Sequence, residues 1–343
     1  MEKNEARARV GYVDYVRVFA MVMVILLHCV CDYANMEKNF GRPLWWLTGL
    51  LNEVTRTGVP LFFMISGFLL VDAVDVDNIG TFYKKRFAKI LIPFFIYYVF
   101  YYCYFQLEGG FPLFGMDFLK QFFASGSAYH LWFVYSLVFL YLFVPFIKMI
   151  AERSSTKVLF GFFLLSVFHT TLKPFLNIIF DGNMYFYLAE DGMTGYIGYV
   201  ILGYILGKNE IKHDKWIIAA GLLLIPVFAY FNFDMLRSGR SAVFSGGYTI
   251  NHYIEAAAVF LLFKRINLKK NRFVSLMSKL SFRAYLIHVF IIEQFKFRLE
   301  VFSPSVMMAL LFLITLVLSF GWAYIVEKVH EIIRKKKTAL PKA

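Results

Sequence analysis

The sequence predicts an all-α fold: a polytopic transmembrane helix bundle of about ten spans with both termini cytoplasmic. Three observations carry that expectation. Hydrophobic residues make up 59% of the chain and charged residues only 17%, a balance foreign to ordinary soluble domains. Apolar stretches long enough to cross a hydrocarbon core of roughly 30 Å recur along the whole length. The connections between them alternate between rich and poor in Lys and Arg.

The first span is placed at 14–34, with Arg17 and His28 at the two ends of its apolar run. Its "LLHCVC" superficially suggests a lipoprotein cleavage site, but His28 stands before Cys29 where a small residue is required, so the span is read as retained. Cys29 and Cys31 point to nearly opposite sides of a helix and, with Cys103, give no disulfide framework. The second span, 57–75, follows Arg56. The third, 86–107, follows the basic group Lys84, Lys85, Arg86 and Lys89. Spans at 129–150 and 156–178 flank Lys148, Arg153 and Lys157, and 193–208 and 215–234 flank Lys208, Lys212 and Lys215. The eighth and ninth, 248–264 and 281–298, enclose a run of seven Lys or Arg from Lys264 to Arg283. The tenth, 304–326, leads into a basic tail, 327–343.

Summed over these connections, 26 of the 36 Lys and Arg fall on one side and nine on the other, with Arg17 inside the first span. The positive-inside rule makes the richer side cytoplasmic. The formal charge of +13 therefore reflects topology and contact with anionic membrane lipids. No interleaved basic and aromatic recognition motif argues for a nucleic-acid partner. With no linker or long insertion, residues 1–343 read as one integral domain of a multi-pass cell (inner or plasma) membrane protein.

Arg17 and His28 pose the functional question. Eleven residues at 100° return to within about 20°, so the two share a helix face, roughly 16 Å apart along the axis. Asp14 lies near the same face and can pair with Arg17. Ionisable groups at this depth usually face protein or a hydrated cavity. Taken singly, Arg17 is equally a residue snorkelling to headgroups, and His28 a packing residue.

Five motifs in order change that balance: "DYVRVFAMVMVILLH" (14–28), "RTGVPLFFMISGFLL" (56–70), "FYKKRFAKILIPFF" (82–95), "HLWFVYSLVFLYLFVP" (130–145) and "LSFRAYLIH" (280–288). Together they resemble the acyltransferase-3 family of integral membrane acyltransferases, over about residues 11–328. The resemblance implies transfer of an acyl group, usually acetyl from cytoplasmic acetyl-CoA, to a hydroxyl of an extracytoplasmic or lipid-linked glycan. It implies that Arg17 and His28 are catalytic, with Arg17, Arg86 and Lys89 meeting the CoA phosphates. Lys89 replaces the second Arg of the family's Arg-x-x-Arg pair, which keeps the charge but loses the planar fork.

Remaining candidates each carry a plainer rival. His130 and Trp132 match the family's His-Leu-Trp and are candidates to bind the acceptor sugar, although Trp132 also suits an interfacial belt. Arg56 is a candidate to orient the acceptor or a simple boundary residue. His288, near mid-depth in the ninth span, is a second site imidazole or a core hydrogen-bonding group. Glu255 and Glu293 are apolar-span acids that need partners, and His252 is placed near the outer end of its span. Ser66 and Gly67 read as small residues for close helix contact. The seven histidines lack an i, i+4 ligand spacing with an intervening Glu, so no metal is expected. The alternative function is a secondary transporter using Arg17, His28, Glu255 and Glu293 as a substrate or proton path.

Overall fold

A computed structural model of the chain describes residues 11–106, 115–124, 126–179, 193–239 and 243–339. The basic residues Lys3, Arg7, Arg9, Arg240 and Lys342, and residues 108–114 of the outer segment, lie outside them. The described residues form α-helices and short 3-10 turns, with no strand among them. In chain order the helices are α1 (Gly11–Asn35), α2 (Pro43–Thr55), α3 (Gly58–Leu70), α4 (Ile79–Gln106), α5 (Met116–Ala124) and α6 (Trp132–Arg153). They continue with α7 (Thr156–Ile179), α8 (Ile197–Lys208), α9 (Asp214–Arg237), α10 (Ile250–Ile266), α11 (Arg272–Lys296) and α12 (Pro304–Ala339).

Local signals set these limits. Pro43 opens α2, where its missing N–H would have had no partner. The Asn271 side chain caps α11 by accepting from the backbone N–H groups of Phe273 and Val274, at 2.9 and 3.2 Å. Asn267 takes a left-handed conformation to end α10.

Among the described residues, seven helical runs are long and apolar enough to cross a membrane: Gly11–Asn35, Pro43–Ala73, Val76–Phe105, Tyr129–Arg153, Asp214–Arg237, Arg272–Leu299 and Pro304–Lys336. The other three expected spans are helical but shorter in their apolar parts, at Thr156–Leu172 in α7, the 12 residues of α8 and the 17 of α10. Twelve residues rise only about 18 Å, so α8 is a buried short helix wedged against α3 and α7. The chain is a multi-pass membrane protein. Ile92, Ile96, Leu165, Phe168, Leu223, Val317 and Ile325 project outward from α4, α7, α9 and α12, which suits a lipid-facing surface.

The second span differs from its expected form. It starts at Pro43, well before 57, and is broken in the middle between α2 and α3. The sequence places Arg56 at the outer end of this span, and a cation at membrane depth is expensive. In the fold, Glu53 lies one helical turn before Arg56 and within its electrostatic reach, which offsets that cost. The break is satisfied internally: Thr55 and Thr57 hydroxyls donate to the Leu51 and Val54 carbonyls, both at 2.7 Å, as backbone away from water requires.

At the core, α1 packs against α2, α3, α10, α11 and α12. It runs parallel to α11, tied at one end by Asp14 to Ser278 and at the other by Asp32 to Lys296, both pairs 264 residues apart. Connections expected to share a side do meet. Asp72 is held by Lys208 and, at 3.4 Å, by Lys148, and Lys264 donates to the Leu206 carbonyl at 2.7 Å.

Candidate active site

The site is built along α1. Near its start, Ser278 of α11 donates to Asp14 at 2.7 Å and accepts from the Arg17 guanidinium at 3.0 Å, while Ser275 donates to the second Asp14 oxygen at 2.6 Å. Asp14 is buried, so this network fixes Arg17 on an inward-facing polar seam. Tyr141 of α6 lies within electrostatic reach of both Arg17 and Arg86 and beside Ser66. Arg86 is half-buried, its guanidinium 5.8 Å from the Phe82 ring centroid. Lys89, by contrast, is exposed on α4. Ser66 spends its hydroxyl on the Phe62 carbonyl at 2.9 Å. The adjacent Gly67 meets α8 so closely that a Cβ there would lie 1.9 Å from the Val200 carbonyl oxygen, as the small-residue reading requires.

About three turns further along α1, His28 joins two other imidazoles. Its ring centroid is 5.1 Å from that of His288, which is in turn 5.1 Å from that of His130. Tyr129 packs edge-on against His28 at 5.3 Å. Tyr101 and Tyr285 flank His130 at 5.0 and 5.5 Å. Three segments remote in sequence thus converge: α1, the turn Tyr129–Leu131, and α11. His288 Nδ1 lies 2.5 Å from the Tyr285 carbonyl oxygen. A carbonyl can only accept, so Nδ1 carries the proton and, in the neutral ring, Nε2 keeps a lone pair. That Nε2 is buried and makes no hydrogen bond, which leaves it able to take a proton from His28 or from a group held beside it.

Trp132, one residue beyond that turn, is 42% exposed and stacks on Tyr196 at 5.5 Å, apart from the imidazole cluster. Arg56 lies inside the bundle at the α2–α3 break, within electrostatic reach of His28. Beside Arg56 is a buried network whose Glu53, Asn232 and Asn251 the sequence reading did not single out. Glu53 accepts from Asn232 at 2.9 Å and from Asn251 at 2.8 Å. His252 Nδ1 pairs with Glu255 at 2.8 Å, so Glu255 does have a histidine partner. Two signals were available: an acid inside the apolar "LTGLLNEV", and His252 and Glu255 three apart on one helix face.

Glu53, His252 and Glu255 also have ligand atoms within 4.8 Å of one another, spacing that could hold a metal ion. Both Glu53 oxygens already accept from asparagine amides, His252 Nδ1 is engaged by Glu255, and Arg56 supplies a positive charge. His252 Nε2 and Glu255 Oε1 are buried and make no hydrogen bond, so two ligand atoms of the set stay open.

The arrangement can do two things. Cationic groups at one end of α1 suit an anionic ligand, and the imidazoles higher on the same helix suit proton or acyl transfer. No curated protein and no solved structure matches the chain. A family model described as an acyltransferase domain matches residues 10–328. With nearly the whole chain matched, the protein belongs to the acyltransferase-3 family.

Proposed function

We propose that this acyltransferase is a ten-span protein of the cell (inner or plasma) membrane with both termini cytoplasmic. In this reading it transfers acetyl, or another short acyl group, from cytoplasmic acyl-CoA to a hydroxyl of an extracytoplasmic or lipid-linked glycan. The observation that carries the reading is the polarity of α1: Arg17 in a polar seam near Arg86 at one end, and His28 in an imidazole cluster roughly 16 Å further on. CoA phosphates would sit against Arg17 and Arg86, with exposed Lys89 adding attraction at the rim, and the pantetheine arm would bring the thioester up to His28. Imidazole suits the step because its ordinary pKa is near neutrality.

As the acceptor oxygen forms its bond to the thioester carbonyl carbon, His28 takes the hydroxyl proton. The carbon–sulfur bond breaks, and the imidazolium returns the proton to the CoA thiolate. His288, its tautomer set by the Tyr285 carbonyl, positions His28 and shares the proton. An acyl-imidazole on His28 is the alternative route within the same site. His130 packs behind His288.

The test is glycan O-acetylation in cells lacking the gene, complemented at matched membrane levels. Wild type restores acetate, whereas His28→Ala lowers it by about 10²-fold or more, the scale of lost acid–base catalysis, and Arg17→Ala raises the acyl-CoA concentration required. Full restoration by both variants would remove the proposed site. A secondary transporter draws support from the broken second span, and gene-dependent solute uptake without glycan acetate would favour it.

A further inference from the structure

A cavity of about 350 Å³ lies between α2, α9 and the turn Val243–Ser245, lined among others by Asn35, Asn52, Glu53, Arg56, Asn232 and Phe233. Its volume falls within the roughly 300–1,000 Å³ of small-molecule sites. Three of these residues carry a buried polar atom with no hydrogen-bond partner: Asn52 Oδ1, Arg56 Nε and Asn232 Oδ1. Such atoms are few in a folded protein and are costly when nothing occupies them. All three line one small cavity, where they are polar groups that an entering ligand can meet.

The orientation of Asn232 is set by its neighbour. Glu53 Oε2 can only accept, so it takes the amide N–H₂ of Asn232 at 2.9 Å and leaves Oδ1 as the free atom. Asn232 is itself only 6% exposed. The unmet set is therefore two acceptors and one donor. A hydroxyl-rich molecule fits it, because each hydroxyl both donates and accepts. A phosphodiester or carboxylate has no proton for either amide oxygen, and any anion meets the Glu53 carboxylate. An ammonium cannot accept from Arg56. Phe233 adds an apolar wall, buttressed by Trp45 and Trp46 with ring centroids at 4.5 and 5.0 Å, against which the C–H face of a sugar ring can pack.

Building on the acyl-transfer reading, we propose that this cavity is the acceptor site and that it takes a neutral, hydroxyl-rich saccharide unit. Arg56 links it to the chemistry, since it lines the cavity and lies within electrostatic reach of His28. The acceptor is thereby assigned to the α2–α9 side of the bundle, with Trp132 outside the pocket.

The experiment compares wild type with Asn52→Leu, Asn232→Leu and Asn35→Trp. The last replaces an exposed residue to obstruct the cavity, and so guards against a folding loss at the buried asparagines. Phe231→Ala, on the outward side of α9, is the control. Each is measured at matched membrane level for glycan acetylation in cells. In lipid nanodiscs each is measured for acetyl-CoA binding and for thermal stabilisation by methyl glycosides of glucose, mannose and N-acetylglucosamine. Expected are a fall in acetylation of about tenfold or more in all three pocket variants, acetyl-CoA binding within about twofold of wild type, and no change in the control. Acetylation kept within about twofold by the three, or acetyl-CoA binding lost by all three, overturns the assignment. If glycan acetate does not depend on the gene, the acyl-transfer reading falls by itself. Saccharide stabilisation then decides: present in wild type and lost in the pocket variants it upholds the pocket, and absent in wild type it rejects it.

Discussion

Glu53 accepts from two asparagines that come from 179 and 198 residues further along the chain. It marks the boundary of what residue-level reading can reach. A buried carboxylate of this kind is tolerable only with its lone pairs filled, and nothing near "LNEV" names the donors. Arg17 and His28 were legible because helical periodicity alone puts them on one face. That His28 has His288 and His130 for neighbours was not, since those rings arrive from other helices. The Glu53 network yields a direct expectation. Glu53→Leu removes the acceptor of both asparagine amides, leaving buried donors unpaired at a cost of about 1–3 kcal/mol or more. The midpoint of thermal unfolding in detergent should drop accordingly; an unchanged midpoint would mean that the carboxylate is not the acceptor for both amides.

Among elements, the closest backbone approach at a described glycine is where α3 crosses α8. A Cβ on Gly67 would stand 1.9 Å from the Val200 carbonyl oxygen, and one on Gly203 would stand 2.1 Å from the Met64 carbonyl oxygen. Both obstacles are backbone and cannot rotate away. Gly67→Ala should therefore cost about 1–3 kcal/mol through overpacking. Gly321→Ala, on α12 with nothing within 4 Å of the added carbon, should be neutral or stabilising because alanine favours a helix interior. Thermal unfolding of the two variants side by side checks the pair, and equal behaviour would contradict the close crossing. The motif "MISGFLL" announced a close contact but not its partner. The same limit applies to the second span, whose break at Arg56 and Thr57 is stable because threonine hydroxyls and a neighbouring carboxylate satisfy it.

For the whole molecule, the basic residues of the connections make a topological expectation that can be checked directly. A fluorescent protein fused after Ala343 should fluoresce, and alkaline phosphatase fused there should be inactive. The opposite pair of results would invert the proposed orientation and put the Arg17 end away from cytoplasmic acyl-CoA. The all-helical, membrane-crossing character, the order of the helices and the family motifs were determined by the sequence itself, because hydropathy, helical period and local motifs are short-range properties. Tertiary structure alone decided the short buried form of α8, the broken second span, the meeting of His28 with His288 and His130, and the cavity beside Arg56. The last two depend on side chains from distant segments coming together away from water. The form of α8 depends on its close crossing with α3, and the break on a carboxylate beside Arg56. No local pattern encodes which segments will meet.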